Sequence, residues 1–217
     1  MAAAAMLPQF MLPVVPMGGE APIPREALHM SQHRYTGVAI ILHWLVAFLM
    51  LGNVALGLLA ESLPEEHIRQ AIDTHKSLGI TVLGLALLRI LWRIGHRPPA
   101  WPEGALTPME SRVSHIVHGL LYLLMLGLPL SGWLHDSAWK AAESHPMTIF
   151  GLFEWPRIGW IMALAPDVKE QLHGVFGEAH EALAWGLYLL VGLHIAGALK
   201  HQVIDKHPTM QRMSLRK

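Results

Sequence analysis

Histidine is the side chain in excess that can hold a metal or move a proton: the chain carries 15, and no cysteine. Without thiols there is no disulfide, thiolate nucleophile, iron–sulfur cluster or cysteine zinc site, so a metal or cofactor would have to be held through imidazole. Six histidines fall inside long apolar runs: His43, His75, His115, His118, His180 and His194. An ionisable group at such a position costs a few kcal/mol to insert into a bilayer and calls for an explanation. The other nine, among them His135, His173 and His201, stand in loops or at the ends of runs, where a solvated ring is the expected state.

Spacing sharpens this. His180 and His194 are 14 residues apart, close to four helical turns, which puts them within about 40° of one face and separates them by about 21 Å along the axis. One helix face therefore offers ligands at two depths. If the apolar runs are successive antiparallel helices, the start of the second shares a level with the start of the fourth, so His75 faces His180. By the same topology His43, near the start of the first, faces His194. Two opposed histidines at one level suit the axial positions of a haem iron between helices. Zinc normally takes three or four ligands at one site, which fits the count less well, and a hydrogen-bonded contact between helices is the plain alternative for any one of these rings. His115 and His118 are candidate alternative ligands on the inner level, or boundary residues bonding to propionates, headgroups or water. Arg89 is either a snorkelling side chain or a charge-assisted partner for a propionate.

The elements that would position these residues are apolar helices. Hydrophobic residues make up 53% of the 217 positions and charged residues only 15%, against about 25% charged in soluble domains. Four runs, at about 38–60, 75–94, 115–134 and 179–199, are each long enough to cross a hydrocarbon core of about 30 Å. The fold expected is all-α, an integral membrane four-helix bundle with its cofactor between helices. Sixteen basic residues balance 16 acidic ones, which leaves no basic field for nucleic acid, and no HExxH pair or glycine-rich phosphate loop is present. Residues 1–34 are proline-rich, with no Lys or Arg before Arg25, and read as a disordered extension ahead of a domain at 35–207 and a basic tail at 208–217. Met30 is a second candidate start. Of the Lys and Arg residues, 11 fall on the side holding both termini and five on the other, so both termini are expected in the cytoplasm. The segment 135–178 then lies outside, with Trp139, Trp155 and Trp160 suited to the membrane interface. Lys76, Arg157 and Lys169 are expected to form a positive mouth over the outer histidine pair, and Trp155, Pro156 and Trp160 are candidates for lining a quinone or donor site.

The run from Tyr35 to Lys217 resembles the bacterial cytochrome b561 family. The resemblance is carried by ILHWL at His43, THKSLGITVLGLALLRILWR with His75 and Arg89, HIVHGLLYLLMLGLPLSGW with His115 and His118, and HEALAWGLYLLVGLHIAGALKH with His180 and His194. It implies a multi-pass protein of the bacterial inner membrane with two b-type haems, ligated by His43, His75, His180 and His194. It further implies electron transfer between a quinone, ubiquinone being the expected one, and a periplasmic donor or acceptor. Superoxide is one candidate donor, which would make Lys76 and Arg157 candidate catalytic residues; a redox protein docked from the periplasm is the alternative, with the chain as its cytochrome subunit or anchor.

Overall fold

The computed structural model describes residues 34–101 and 104–215; the extension assigned to 1–34 falls almost wholly outside them. Four long helices dominate: α1 Gly37–Leu59, α2 Glu65–Gly95, α3 Pro108–Ser137 and α4 Pro166–Leu199. They form an all-α antiparallel bundle in which α1 packs on α2, α2 on α3 and α3 on α4. Each is long and apolar enough to span a membrane, yet only 6–22% of the residues in the apolar windows are buried by protein. Exposed side chains such as Phe48, Leu91, Leu123 and Trp185 therefore form a face made for lipid.

Local chemistry sets the helix ends. Thr36 caps α1 by accepting from the Ala39 amide at 3.3 Å, and Glu65 and Glu66 sit in the first turn of α2, where the helix dipole favours negative charge. Thr107 and Glu110 form a reciprocal capping box at the start of α3, followed by Pro108 in the first turn. Pro166 opens α4. These polar starts carry three helices well beyond the apolar runs: α2 begins ten residues before 75, α3 seven before 115 and α4 thirteen before 179. The loop between α3 and α4, expected on the outer side over 135–178, is accordingly shorter, covering only 138–165; outer and inner name the two ends of the bundle by that expected orientation.

Within that loop a small hairpin pairs Thr148–Ile149 with Phe153–Glu154. Its turn uses Phe150 at φ 49° and Gly151 at φ 70°, a left-handed conformation that glycine adopts readily and a phenylalanine only under constraint. The constraint is Ser77 of α2, whose hydroxyl accepts from the Phe150 amide at 3.0 Å and donates to Asp73 O at 2.8 Å. Met147 and Ile149 pack on Ile80, so the loop is fastened to the side of α2. At the opposite end, α4 passes through a π-turn at Lys200–Ile204, and the short helix Thr209–Arg212 folds back on the bundle. Trp44 Nε1 donates to Met213 O at 2.8 Å, and the Arg212 guanidinium lies 4.0 Å from the Trp101 ring centre while donating to Pro99 O at 2.6 Å.

Candidate functional site

The bundle brings its intramembrane histidines together in two facing pairs. His75 of α2 and His180 of α4 have ring centres 6.1 Å apart at an interplanar angle of 77°. His43 of α1 and His194 of α4 repeat the arrangement, again at 6.1 Å, with an angle of 69°. A metal–imidazole bond of about 2.0–2.1 Å and about 1.1 Å from nitrogen to ring centre, counted on both sides, span about 6.2–6.4 Å. Each pair is thus set at the separation that a single bis-histidine iron requires. Between the two levels lies a dry apolar cluster of Val46, Val82, Ala86 and Met125, with Leu187, 2% exposed, midway in sequence between His180 and His194.

Each outer ring is oriented by a backbone carbonyl. His75 Nδ1 donates to Asn53 O at 3.0 Å and His180 Nδ1 to Leu128 O at 3.1 Å, with Ser131 Oγ 3.0 Å away. These bonds fix the tautomer with Nε2 free, the second-shell arrangement usual for metal-binding histidine. Glycine makes room in both cases: a methyl group at Gly57 would stand 3.2 Å from His75 Cε1, and one at Gly132 3.3 Å from His180 Cε1. A cavity of about 490 Å³, lined by Leu56, Gly57, Ala60, Ile68, Ile72 and His75, opens beside the outer pair. The inner pair differs, because His43 Nδ1 is buried with no hydrogen-bond partner, while Trp44 meets the His43 ring edge-on at 5.3 Å. Matched spacing at both levels, with oriented rings and a cavity beside His75 at the outer one, fits a flat macrocycle between the helices.

The other candidates from the sequence separate. His118 lies beside the inner pair, its ring centre 5.1 Å from that of His194 and its Nδ1 bonded to Ser114 O at 2.6 Å. His115 is exposed and bonded back to Ser111 O at 2.6 Å. Arg89 stands 14 residues from His75 on α2, at the level of the inner pair, and with Arg93 it lies over the Tyr122 ring at 5.5 and 5.6 Å. Lys76 and Arg157 do meet at the outer mouth, but around a carboxylate: Asp136, 3% exposed, lies 2.6 Å from Lys76 Nζ and 2.8 Å from Arg157 Nε. Lys169 is buried in the first turn of α4 and is not paired with that cluster. Trp155 packs edge-on against Trp133 at 5.8 Å, Trp133 Nε1 donates to Pro156 O at 2.9 Å, and Trp160 faces outward, 62% exposed.

Two clusters escaped the sequence reading. His135 and His173, expected as solvated rings, are stacked at 3.8 Å and 16°, each donating Nδ1–H to the other's carbonyl at 2.8 and 3.0 Å. Imidazole lone pairs lie in the ring plane, so two nearly parallel stacked rings do not enclose a metal. The signal for this pair was the heptad series His173, His180, His194, His201 on α4, broken only at Leu187. At the inner end, Glu110, His201 and Asp205 gather ligand atoms within 4.8 Å of one another. The Lys200 ammonium already bridges the two carboxylates at 2.6 and 2.7 Å, which makes the cluster a tie between α3 and α4. Lys200 and the His201 ring, 2.7 Å away, hold the Asp205 carboxyl below the usual carboxylate range.

Comparison with known proteins identifies the family. The sequence model of prokaryotic cytochrome b561 matches residues 34–214. The chain is 34% identical over 185 residues to cytochrome b561 homolog 2 of Escherichia coli (strain K12), covering 84% of this chain and 92% of that one. It is 30% identical over 189 residues to the probable superoxide oxidase CybB of Yersinia pestis, covering 85% and 97%. Cytochrome b562 of Cereibacter sphaeroides matches at 35% over 117 residues, 49% of this chain and 71% of that protein. With four membrane-spanning helices and a family match over the whole bundle, the chain belongs to the prokaryotic cytochrome b561 family, membrane proteins that transfer electrons by way of b-type haem.

Proposed function

We propose that the chain carries electrons through the bacterial inner membrane between a quinone, ubiquinone being the expected one, and a partner on the outer side. The observation that carries this is the pair of facing histidines at each of two depths, both at 6.1 Å. His75 and His180 would ligate an outer haem, and His43 and His194 an inner one. When bound, haem b supplies a one-electron ferric–ferrous couple. The protein contributes the rest: Asn53 and Leu128 orient the outer rings, the apolar cluster between the levels keeps water out, and Arg89 and His118 offer donors beside the inner pair. Residues 35–207 form the cytochrome domain, with both termini in the cytoplasm.

Two forms of this function are distinguishable. The likeness to a protein named a probable superoxide oxidase supports superoxide:ubiquinone oxidoreductase activity at the outer mouth. Asp136 offsets one of the two positive charges of Lys76 and Arg157, which weakens the attraction of the outer mouth for a small anion and favours the other form, in which the chain is the cytochrome subunit of a periplasmic redox partner. The test is to purify the full chain, measure a haem-to-protein ratio, and follow ubiquinone reduction with superoxide as sole donor. A ratio near two with rapid reduction supports the oxidoreductase; a ratio near two without reduction supports the subunit; a ratio near one or zero rejects the two-haem reading.

A further inference from the structure

Outer and inner pairs are alike in spacing and unlike in what surrounds them. Each outer imidazole gives its Nδ1–H to a helix carbonyl, Asn53 O or Leu128 O. In both neighbouring helices the residue four positions on, where one helical turn brings a side chain beside that carbonyl, is a glycine: Gly57 and Gly132. A methyl group at either would stand 3.2 or 3.3 Å from the ring. The same construction recurs away from both pairs, where His135 Nδ1 donates to His173 O and Gly177, four residues on, would place a methyl group 3.0 Å from the ring. A glycine one turn beyond the accepting carbonyl thus accompanies three of these imidazole–carbonyl bonds between helices; the fourth, from His173 to His135 O near the end of α3, has none.

The inner pair has no such seating. His43 Nδ1 is unpartnered, and no hydrogen bond from His194 Nδ1 is found among the described residues. It has instead Arg89, which stands 14 residues from His75 on α2 and so near the same face at the inner level, with no ion-pair partner among the described residues. At the outer level, Lys76 is paired with Asp136 at 2.6 Å and lies 3.8 Å from Asp73, carboxylates that it shares with Arg157 and Arg69.

We infer that these surroundings make the outer pair the lower-potential site and the inner pair the higher, with Gly57, Gly132 and Arg89 as the positioning and tuning residues that set the difference. The inference rests on the ligand assignment proposed above. A carbonyl accepting from Nδ1–H makes Nε2 the stronger donor and favours ferric iron; an uncompensated cation beside the other pair favours ferrous iron. Both effects act in one direction. With haem held by His75 and His180 and by His43 and His194, one electron taken from an outer donor would pass to an acceptor at the inner level, the donor being oxidised and the acceptor reduced by one equivalent each. An outer donor and an inner acceptor are the partners this order serves.

The test is a spectroelectrochemical titration of the purified full chain with both haems, with electron paramagnetic resonance on the same samples. His43→Ala or His194→Ala should remove the upper of two one-electron transitions, and His75→Ala or His180→Ala the lower. Arg89→Gln should shift only the upper transition, downward. Gly57→Ala or Gly132→Ala should shift only the lower, upward, and change its resonance signal. Gly174→Ala, which meets nothing within 4 Å, controls for a helical glycine replacement and should move neither. If each histidine variant loses one haem but the His43 and His194 variants lose the lower transition, the ligands stand and the potential order is wrong. If Arg89→Gln and both glycine variants leave both transitions in place, the tuning role is wrong. If no histidine variant loses haem, the fault lies in the ligand assignment.

Discussion

The carboxylate of Asp136, the penultimate residue of α3, lies 2.8 Å from Nε of Arg157 in the outer loop. Arg157 also donates to Ala142 O and His145 O at 2.5 and 2.8 Å, so one side chain joins α3 to both halves of the loop. Removing one partner of a buried pair typically costs about 3–5 kcal/mol. Arg157→Ala should therefore loosen the segment 138–165 without loss of haem. Limited proteolysis from the periplasmic side checks this; a loop as resistant as the parent's would show that the pair is not what holds it.

The pairing of levels predicts which variants share a phenotype. His75→Ala and His180→Ala should lose the same b-type spectrum, and His43→Ala and His194→Ala the other, in reduced-minus-oxidised difference spectra. Acidified organic solvent should extract all haem from the parent, since there is no cysteine to hold it covalently. Identical spectra for His43→Ala and His180→Ala would overturn the pairing.

Ring orientation is testable separately from ring identity. Interplanar angles of 77° and 69° leave the two π-donating ligands of each iron nearly crossed, which keeps the iron dπ orbitals close in energy. Both ferric signals should then be low-spin with an unusually large maximum g value. A pair of ordinary rhombic signals from the intact protein would mean that the rings lie parallel.

The inner tie of Glu110, Lys200, His201 and Asp205 predicts a pH effect. Lys200 and His201 depress the Asp205 pKa below its ordinary value of 3.8, so its contribution is complete above the ordinary carboxylate range and disappears as pH falls through the lower folded-state value. Thermal stability in detergent should decline on acidification below about pH 4, the ordinary Asp range, and Asp205→Asn should flatten that part of the curve. An unchanged acid limb in the variant would remove Asp205 as its source.

Orientation follows from the split of 11 basic residues against five. A reporter joined after Lys217 through a flexible linker should be active in the cytoplasm. Activity of a periplasm-dependent reporter there would exchange the outer and inner assignments.

The membrane spans were legible because an apolar run of about 20 residues has few other uses: α1, expected at about 38–60, occupies Gly37–Leu59. The true starts of α2, α3 and α4 were not, because hydropathy is blind to helix that continues into polar surroundings, and Pro166, Pro108 and the Thr107–Glu110 box carry those boundaries. The facing of His43 with His194 and His75 with His180 could be argued from helix direction and the 14-residue spacing alone. The seating of each outer ring could not. It depends on which carbonyl a neighbouring helix presents at that height, and Gly57 and Gly132 look in the sequence like any small residue that lets helices approach. The carboxylate in the mouth was hidden for a related reason: counting cations along the chain does not reveal that Asp136 stands between Lys76 and Arg157.

Both facing pairs draw one member from α4, the last long helix to leave the ribosome. Neither exists on a nascent chain that stops before residue 180, and the Trp44 bond to Met213 O, next to His43, forms later still. On the proposed ligand assignment, α1 and α2 offer His43 and His75 unmatched until α4 is in place, so neither haem could be seated between two histidines before then.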